Sequence, residues 1–166
     1  MRKAPLFMDE NMPTLSITKI FTFEAAHALL GYDGLCANIH GHSYRLEVTV
    51  CSPALDSVEP GRYIESDKAD PKNGMLFDFS ELKKCVNQSI VDVFDHALIL
   101  NQDGNAEIGE MLKTRYQKVF CVPFQPTSEN LLLDFARRLQ AVLPEKIRLK
   151  RMRLYETATS YTDLDF

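Results

Sequence analysis

The run "CANIHGHSYRLEV", residues 36–48, holds His40 and His42 one residue apart, with Cys36 just upstream. Side chains alternate across an extended chain, so both imidazoles point to one face, in phase with Tyr44, Leu46 and Val48. An earlier run, residues 15–27, ends on His27, in phase with Phe21, Phe23 and Ala25. If the two runs pair, three imidazoles converge near the end of a sheet. Three neutral imidazoles hold a zinc ion with one position open, which is the catalytic and not the closed structural arrangement. Gly41 between them permits close approach of backbone or substrate. Ordinary polar histidines at strand ends are the competing reading, and periodicity alone leaves the two level.

Cys36 lies in the loop before this pair and can reach the same pocket. A thiol beside a dication or a His–Asp pair loses its proton more readily, and the thiolate is the useful base or nucleophile. The plainer reading is a small buried residue, which also suits Cys51, Cys85 and Cys121. Asp95 and His96 stand side by side in "FDHALIL", at the end of a helical run. A carboxylate orients and polarises an imidazole for proton transfer, although the helix dipole alone also favours a histidine there. Glu156, in "LYETATS", ends an apolar strand-like run. A carboxylate in a pocket grips a planar N–H/NH2 edge bidentately. Glu129, in "PTSEN", falls in a first helical turn, where capping and dipole account for it.

These residues need a scaffold. The chain has 166 residues, 45% hydrophobic and 25% charged, enough for one domain with its own core. A net charge of −4 gives no reason to expect nucleic acid. The cluster Lys146, Arg148, Lys150, Arg151, Arg153 reads as a solvated strand face, or else as a landing place for a polyanionic substrate. Four scattered cysteines without a CxxC pair, no apolar leader and no run of about 18 apolar residues predict free thiols in a reducing, cytoplasmic setting. Residues 1–13 read as a loose arm before a single domain. Strands are predicted at 15–27 and 42–52, followed by a polar loop over 53–74. A helix over 78–95 carries Phe79, Leu82, Val86, Ile90 and Val93 on one stripe, with Asp78 and Glu81 as a capping-box pair. Residues 101–125 fit a short helix and a short extended piece. A second clear helix spans 126–144, capped by Thr127 or Ser128, with Val142 in its stripe. A final strand covers 146–161. The expected architecture is α+β: a β-β-α-α-β antiparallel sheet with two helices on one face, with room for an extra hairpin.

Six stretches, "FEAAH", "CANIHGHSYRLEV", "NGMLFDFSELK", "FDHALIL", "PTSENL" and "YETAT", occur in one order. Together they resemble the 6-pyruvoyl-tetrahydropterin synthase / 6-carboxytetrahydropterin synthase family over roughly residues 17–160, the two long polar segments excepted. The resemblance implies a tunnelling fold whose sheets join into a barrel in trimers, two of which stack into a homohexamer. It implies His27, His40 and His42 as zinc ligands and Cys36 as general base. Asp95 and His96 would be the relay, contributed across a subunit interface. Glu156 would anchor the pterin or share in the relay, and Thr127, Ser128 and Glu129 would line the pterin pocket. The implied substrate is 7,8-dihydroneopterin triphosphate. One branch eliminates triphosphate to give 6-pyruvoyl-tetrahydropterin. The other also releases acetaldehyde and gives 6-carboxytetrahydropterin, on the way to 7-deazapurines such as queuosine. The three-residue gap between Cys36 and His40 resembles the carboxy branch. A third branch places Glu at the cysteine position, against which Cys36 argues. The same fold also serves non-catalytic pterin- or purine-binding relatives, for which the Cys36, Asp95, His96 set has no use.

Overall fold

A computed structural model describes residues 13–166; the N-terminal arm read from the sequence lies, but for Pro13, outside the described residues. Two long strands form the centre, β1 (Ser16–Ala28) and β2 (His40–Cys51), paired antiparallel with His27 opposite His40 and Ala25 opposite His42. β2 pairs antiparallel with β5 (Arg148–Tyr155), and β5 with β6 (Tyr161–Asp165). On the other side, β1 pairs with β3 (Ala97–Asn101), and β3 with β4 (Val119–Val122). The sheet order is β4-β3-β1-β2-β5-β6.

Alternation works as expected on β1 and β2. Phe21, Phe23 and Ala25 face inward with Tyr44, Leu46, Val48 and Val50. On β5 the pairing register shifts, leaving Lys150 without a partner between Leu149 and Arg151. That extra residue lets Leu149, Met152 and Leu154 all face the core. Leu82, Val86 and Ile90 cover this face, together with Leu131, Leu132, Phe135 and Leu139.

The first covering element begins as α1 (Phe79–Val86), passes through a π-helical turn (Asn87–Val91) and ends in α2 (Asp92–Phe94). The second is α4 (Ser128–Gln140), capped by Thr127, whose hydroxyl accepts from the Asn130 N–H. Between them, α3 (Gln102–Lys113) packs so closely on β4 that Gly109, against the Cys121 sulfur, leaves no room for a Cβ.

Several expectations are corrected. The sheet is mixed: β3 runs parallel to β1, and β4 parallel to β3. Each parallel strand is reached through a helical crossover, the connection such pairing requires. The region read as one strand over 146–161 folds back instead. Glu156 N–H donates to Ser160 O, and the Thr157 hydroxyl accepts from Ser160 N–H, so β6 returns along β5. Its polar sequence carries no apolar alternation to announce it. Asp78 caps α1 through Ser80 N–H, but Glu81 pairs with Lys72 rather than reaching back to the cap. Phe79 and Val142 are exposed, not part of their helices' buried stripes.

The basic cluster is partly explained by β6. Arg153 and Arg151 grip Asp163, and Arg151 also faces Asp165. Those guanidinium groups, Arg153 foremost, hold the Asp163 carboxyl down at about 2. A depressed carboxylate adds stability above its ordinary value of 3.8 and loses it as pH falls toward about 2. Thermal unfolding followed across this window should therefore fall more steeply in the wild type than in Asp163→Asn. Parallel curves would show that the pairing contributes nothing.

Candidate metal centre

The ends of β1 and β2 bring His27, His40 and His42 together, with one ring nitrogen from each lying within 4.8 Å of the others. His27 is 1% exposed; its Nδ1–H donates to Pro126 O at 2.7 Å. The His40 Nδ1–H donates likewise to Asn38 O at 2.9 Å. Carbonyls accept only, so both rings carry a proton on Nδ1 and turn Nε2 inward. These two Nε2 atoms face each other at 3.1 Å. His42 Nε2 is buried without a hydrogen-bond partner among the described residues. Burial pushes His27 and His42 below the ordinary imidazole range, so both are neutral near pH 7.

Three converging imidazole nitrogens, with His27 and His42 neutral, fit a cation. Tetrahedral zinc with ligands at about 2.0–2.1 Å sets neighbouring ligand atoms about 3.3 Å apart, close to the 3.1 Å between Nε2 of His27 and His40. The carbonyls behind His27 and His40 are the supports that fix ring orientation in metal sites.

Glu156 joins the group. Its Oε1 lies 3.5 Å from His27 Nε2 and 3.8 Å from His42 Nε2. Tyr44 sits inward of the cluster, its ring centroid 5.5 Å from that of His42, and its hydroxyl has no partner among the described residues. Burial raises its phenol well above the usual range.

The remaining candidates are spread around this centre. Cys36 is half-buried; its carbonyl accepts from Leu29 N–H, and its thiol has no hydrogen-bond partner among the described residues. Asp95 and His96 do pair, Nδ1 to Oδ2 at 3.0 Å. The Glu24 N–H donates to Asp95 Oδ1 and, with His96 beside it, holds that carboxyl below the usual range. His96 itself adopts φ 63°, anchored by its N–H to Glu24 O, and its imidazole is exposed. It lines a cleft with His42, Gly41 and Glu24 but is not one of the three imidazoles whose nitrogens converge. Thr127 is occupied as a cap, the Ser128 hydroxyl meets that of Thr162 at 2.8 Å, and Glu129 is exposed. Cys121 packs on Gly109 and the Cys85 thiol is raised by burial, as suits small packing residues.

Residues 16–165 match the family model described as 6-pyruvoyl tetrahydropterin synthase. The chain belongs to this family. A 6-pyruvoyl tetrahydropterin synthase family relative from Haemophilus influenzae, 6-carboxy-5,6,7,8-tetrahydropterin synthase, is 36% identical over 149 residues, covering 89% of this chain and 96% of its own. A protein of the same name from Aquifex aeolicus is 32% identical, covering 87% and 93%. Among solved structures, the 6-pyruvoyl tetrahydropterin synthase of Caenorhabditis elegans superposes with a TM-score of 0.59 at 23% identity, covering 93% of this chain and 97% of that one. An uncharacterized protein of Wolinella succinogenes gives 0.67 at 19%, covering 91% and 97%. These structural likenesses concern the fold.

Sequence reasoning did not find the supports of the histidines in this family member. Pro126 and Asn38 act through backbone carbonyls, which no residue type announces. Tyr44 was placed on the inner face, but its unpartnered hydroxyl emerges only in three dimensions.

Proposed function

We propose that this chain is a zinc-dependent 6-carboxy-5,6,7,8-tetrahydropterin synthase. It takes 7,8-dihydroneopterin triphosphate and water to 6-carboxytetrahydropterin, acetaldehyde and triphosphate, a step toward 7-deazapurines such as queuosine. The observation that carries this reading is the set of three converging imidazole nitrogens beside a carboxylate, in a chain whose relatives bear that enzyme's name. When bound, zinc supplies a Lewis acid that stabilises negative charge on substrate oxygen as protons move.

The chain's residues do the rest. His27, His40 and His42 hold the cation through Nε2. Glu156, already turned toward the cluster, grips the 2-amino-pyrimidinone edge of the pterin. Thr127, Ser128 and Glu129 line the pterin pocket, next to Pro126 on His27. Cys36, as thiolate, takes a proton from the substrate side chain, and His96, oriented by Asp95, relays protons.

The exposed His96, outside the three converging imidazoles, supports a site completed between subunits. So do the two edge strands of the sheet, β4 and β6. Closing sheets into a trimeric barrel, stacked in pairs as a hexamer, covers such edges and brings the partner's His96 to each cluster. Light scattering is expected to give a trimer or hexamer, and co-expressed Cys36→Ala and His96→Ala chains should regain activity together. A monomer without complementation would contradict the shared site.

No helix among the described residues is long and apolar enough to cross a membrane. Four free cysteines support a cytoplasmic location for this single-domain chain. The test of function is incubation of the zinc-loaded protein with dihydroneopterin triphosphate, with products identified by mass. Acetaldehyde and 6-carboxytetrahydropterin in equal amounts are expected. A 6-pyruvoyl product would move the chain to the other branch, and binding without turnover would make it a pterin-binding module.

A further inference from the structure

We infer that Gln125 is a positioning residue, whose side-chain amide holds the Cys36 loop in register with the imidazole cluster; the consequence for rate rests on the function proposed above. The loop over residues 29–39 leaves β1 and returns at His40. From residue 30 to residue 39 only Cys36 is even half-buried, and Leu35 is 87% exposed. Little apolar packing fixes this loop to the body, apart from the Leu30 side chain resting near Gly104. Its position therefore depends on hydrogen bonds.

Most of those bonds are local. Leu29 N–H donates to Cys36 O, and the Asn38 amide donates to Leu35 O. The connection outward is Gln125. Leu30 N–H donates to its Oε1 at 3.0 Å, and its Nε2 donates to Leu30 O at 2.8 Å. One side chain thus satisfies both backbone groups of Leu30, as a neighbouring strand would.

Gln125 is itself fixed. Its carbonyl accepts from Thr127 N–H at 2.8 Å and from the Asn130 amide at 2.9 Å, at the start of α4. The next residue, Pro126, supplies the carbonyl that orients His27. Residues 125 and 126 consequently tie two parts of the site to one point: the ring of His27 and the loop that carries Cys36. A carboxamide is required here, because the residue must both accept and donate. Glu accepts from Leu30 N–H but cannot donate to Leu30 O.

The test compares wild type, Gln125→Ala and the milder Gln125→Glu as full-length, zinc-loaded proteins. Hydrogen exchange across residues 29–39 and iodoacetamide alkylation mapped to Cys36 read the loop directly. Zinc content, KM and kcat read the site. Exchange in the loop is expected to rise about tenfold as the two bonds are lost. Alkylation of Cys36 should change with it, while zinc content stays at the wild-type level. KM should shift little, and kcat should fall by as much as about 100-fold, the effect of a reacting group held slightly out of place. Wild-type exchange in both variants would overturn the inference, and so would a loosened loop with unchanged kcat. If the wild type itself turns over no pterin, the proposed function fails, while exchange and alkylation still decide whether Gln125 holds the loop.

Discussion

His42→Ala is expected to strip zinc from the protein and abolish turnover. His42 Nε2 is buried, its ring is neutral, and it has no hydrogen-bond partner among the described residues, which leaves it free to serve as a ligand. Removing it leaves two imidazoles, too few for the three-ligand catalytic arrangement. The fold should survive, because β1 and β2 pair through their backbones over the whole of residues 16–27. Metal analysis and circular dichroism on one preparation separate site loss from unfolding. Full zinc occupancy in a folded His42→Ala protein would refute the ligand assignment.

Cys36→Ala should behave in the opposite way toward metal. In the proposed site three histidines supply the ligand set, and a coordinated thiolate would fill the position that substrate needs. The thiol therefore acts as a base in the proposed mechanism, and general-base removal costs about 10²- to 10⁴-fold in rate. Zinc content and substrate binding should remain near wild type while kcat falls into that range. Metal loss in parallel with activity would make Cys36 a ligand. Near-normal activity would make it a packing residue, like Cys121 against Gly109.

The parts of the fold with strong local signals were legible in the sequence. β1 and β2 alternate cleanly, so the shared phase of His27, His40 and His42 followed from period-two geometry, and the structure brings their ring nitrogens together. Helix α4 was legible through its Thr127 cap and apolar stripe. Strands β3 and β4 were short apolar runs whose direction depends on the crossovers α1–α2 and α3, which sequence periodicity does not encode. β6 was hidden because its ladder rests on backbone pairing and the Arg151, Arg153 and Asp163 side chains. The Lys150 irregularity blurred the alternation of β5 next to it.

The site divides along the same line. Histidine identity and spacing were visible, and Glu156 was picked out as a carboxylate closing an apolar strand. Its 3.5 Å approach to His27 depends on the turn at residues 156–160. Pro126, Asn38 and Gln125 were invisible because they act through backbone groups or on a backbone far away in sequence. Asp95 and His96 were legible as a pair, and they are one, but the left-handed conformation at His96 was not.

The proposed metal is held by three histidines and not by Cys36. Crystals of the wild-type protein grown with zinc and measured at the zinc absorption edge test it most directly. The expected anomalous map has one peak per chain, about 2.0–2.1 Å from Nε2 of His27, His40 and His42. Cys36 Sγ should lie outside ligand distance. A peak bound by the Cys36 sulfur, or no peak at the histidines in zinc-saturated crystals, would contradict it.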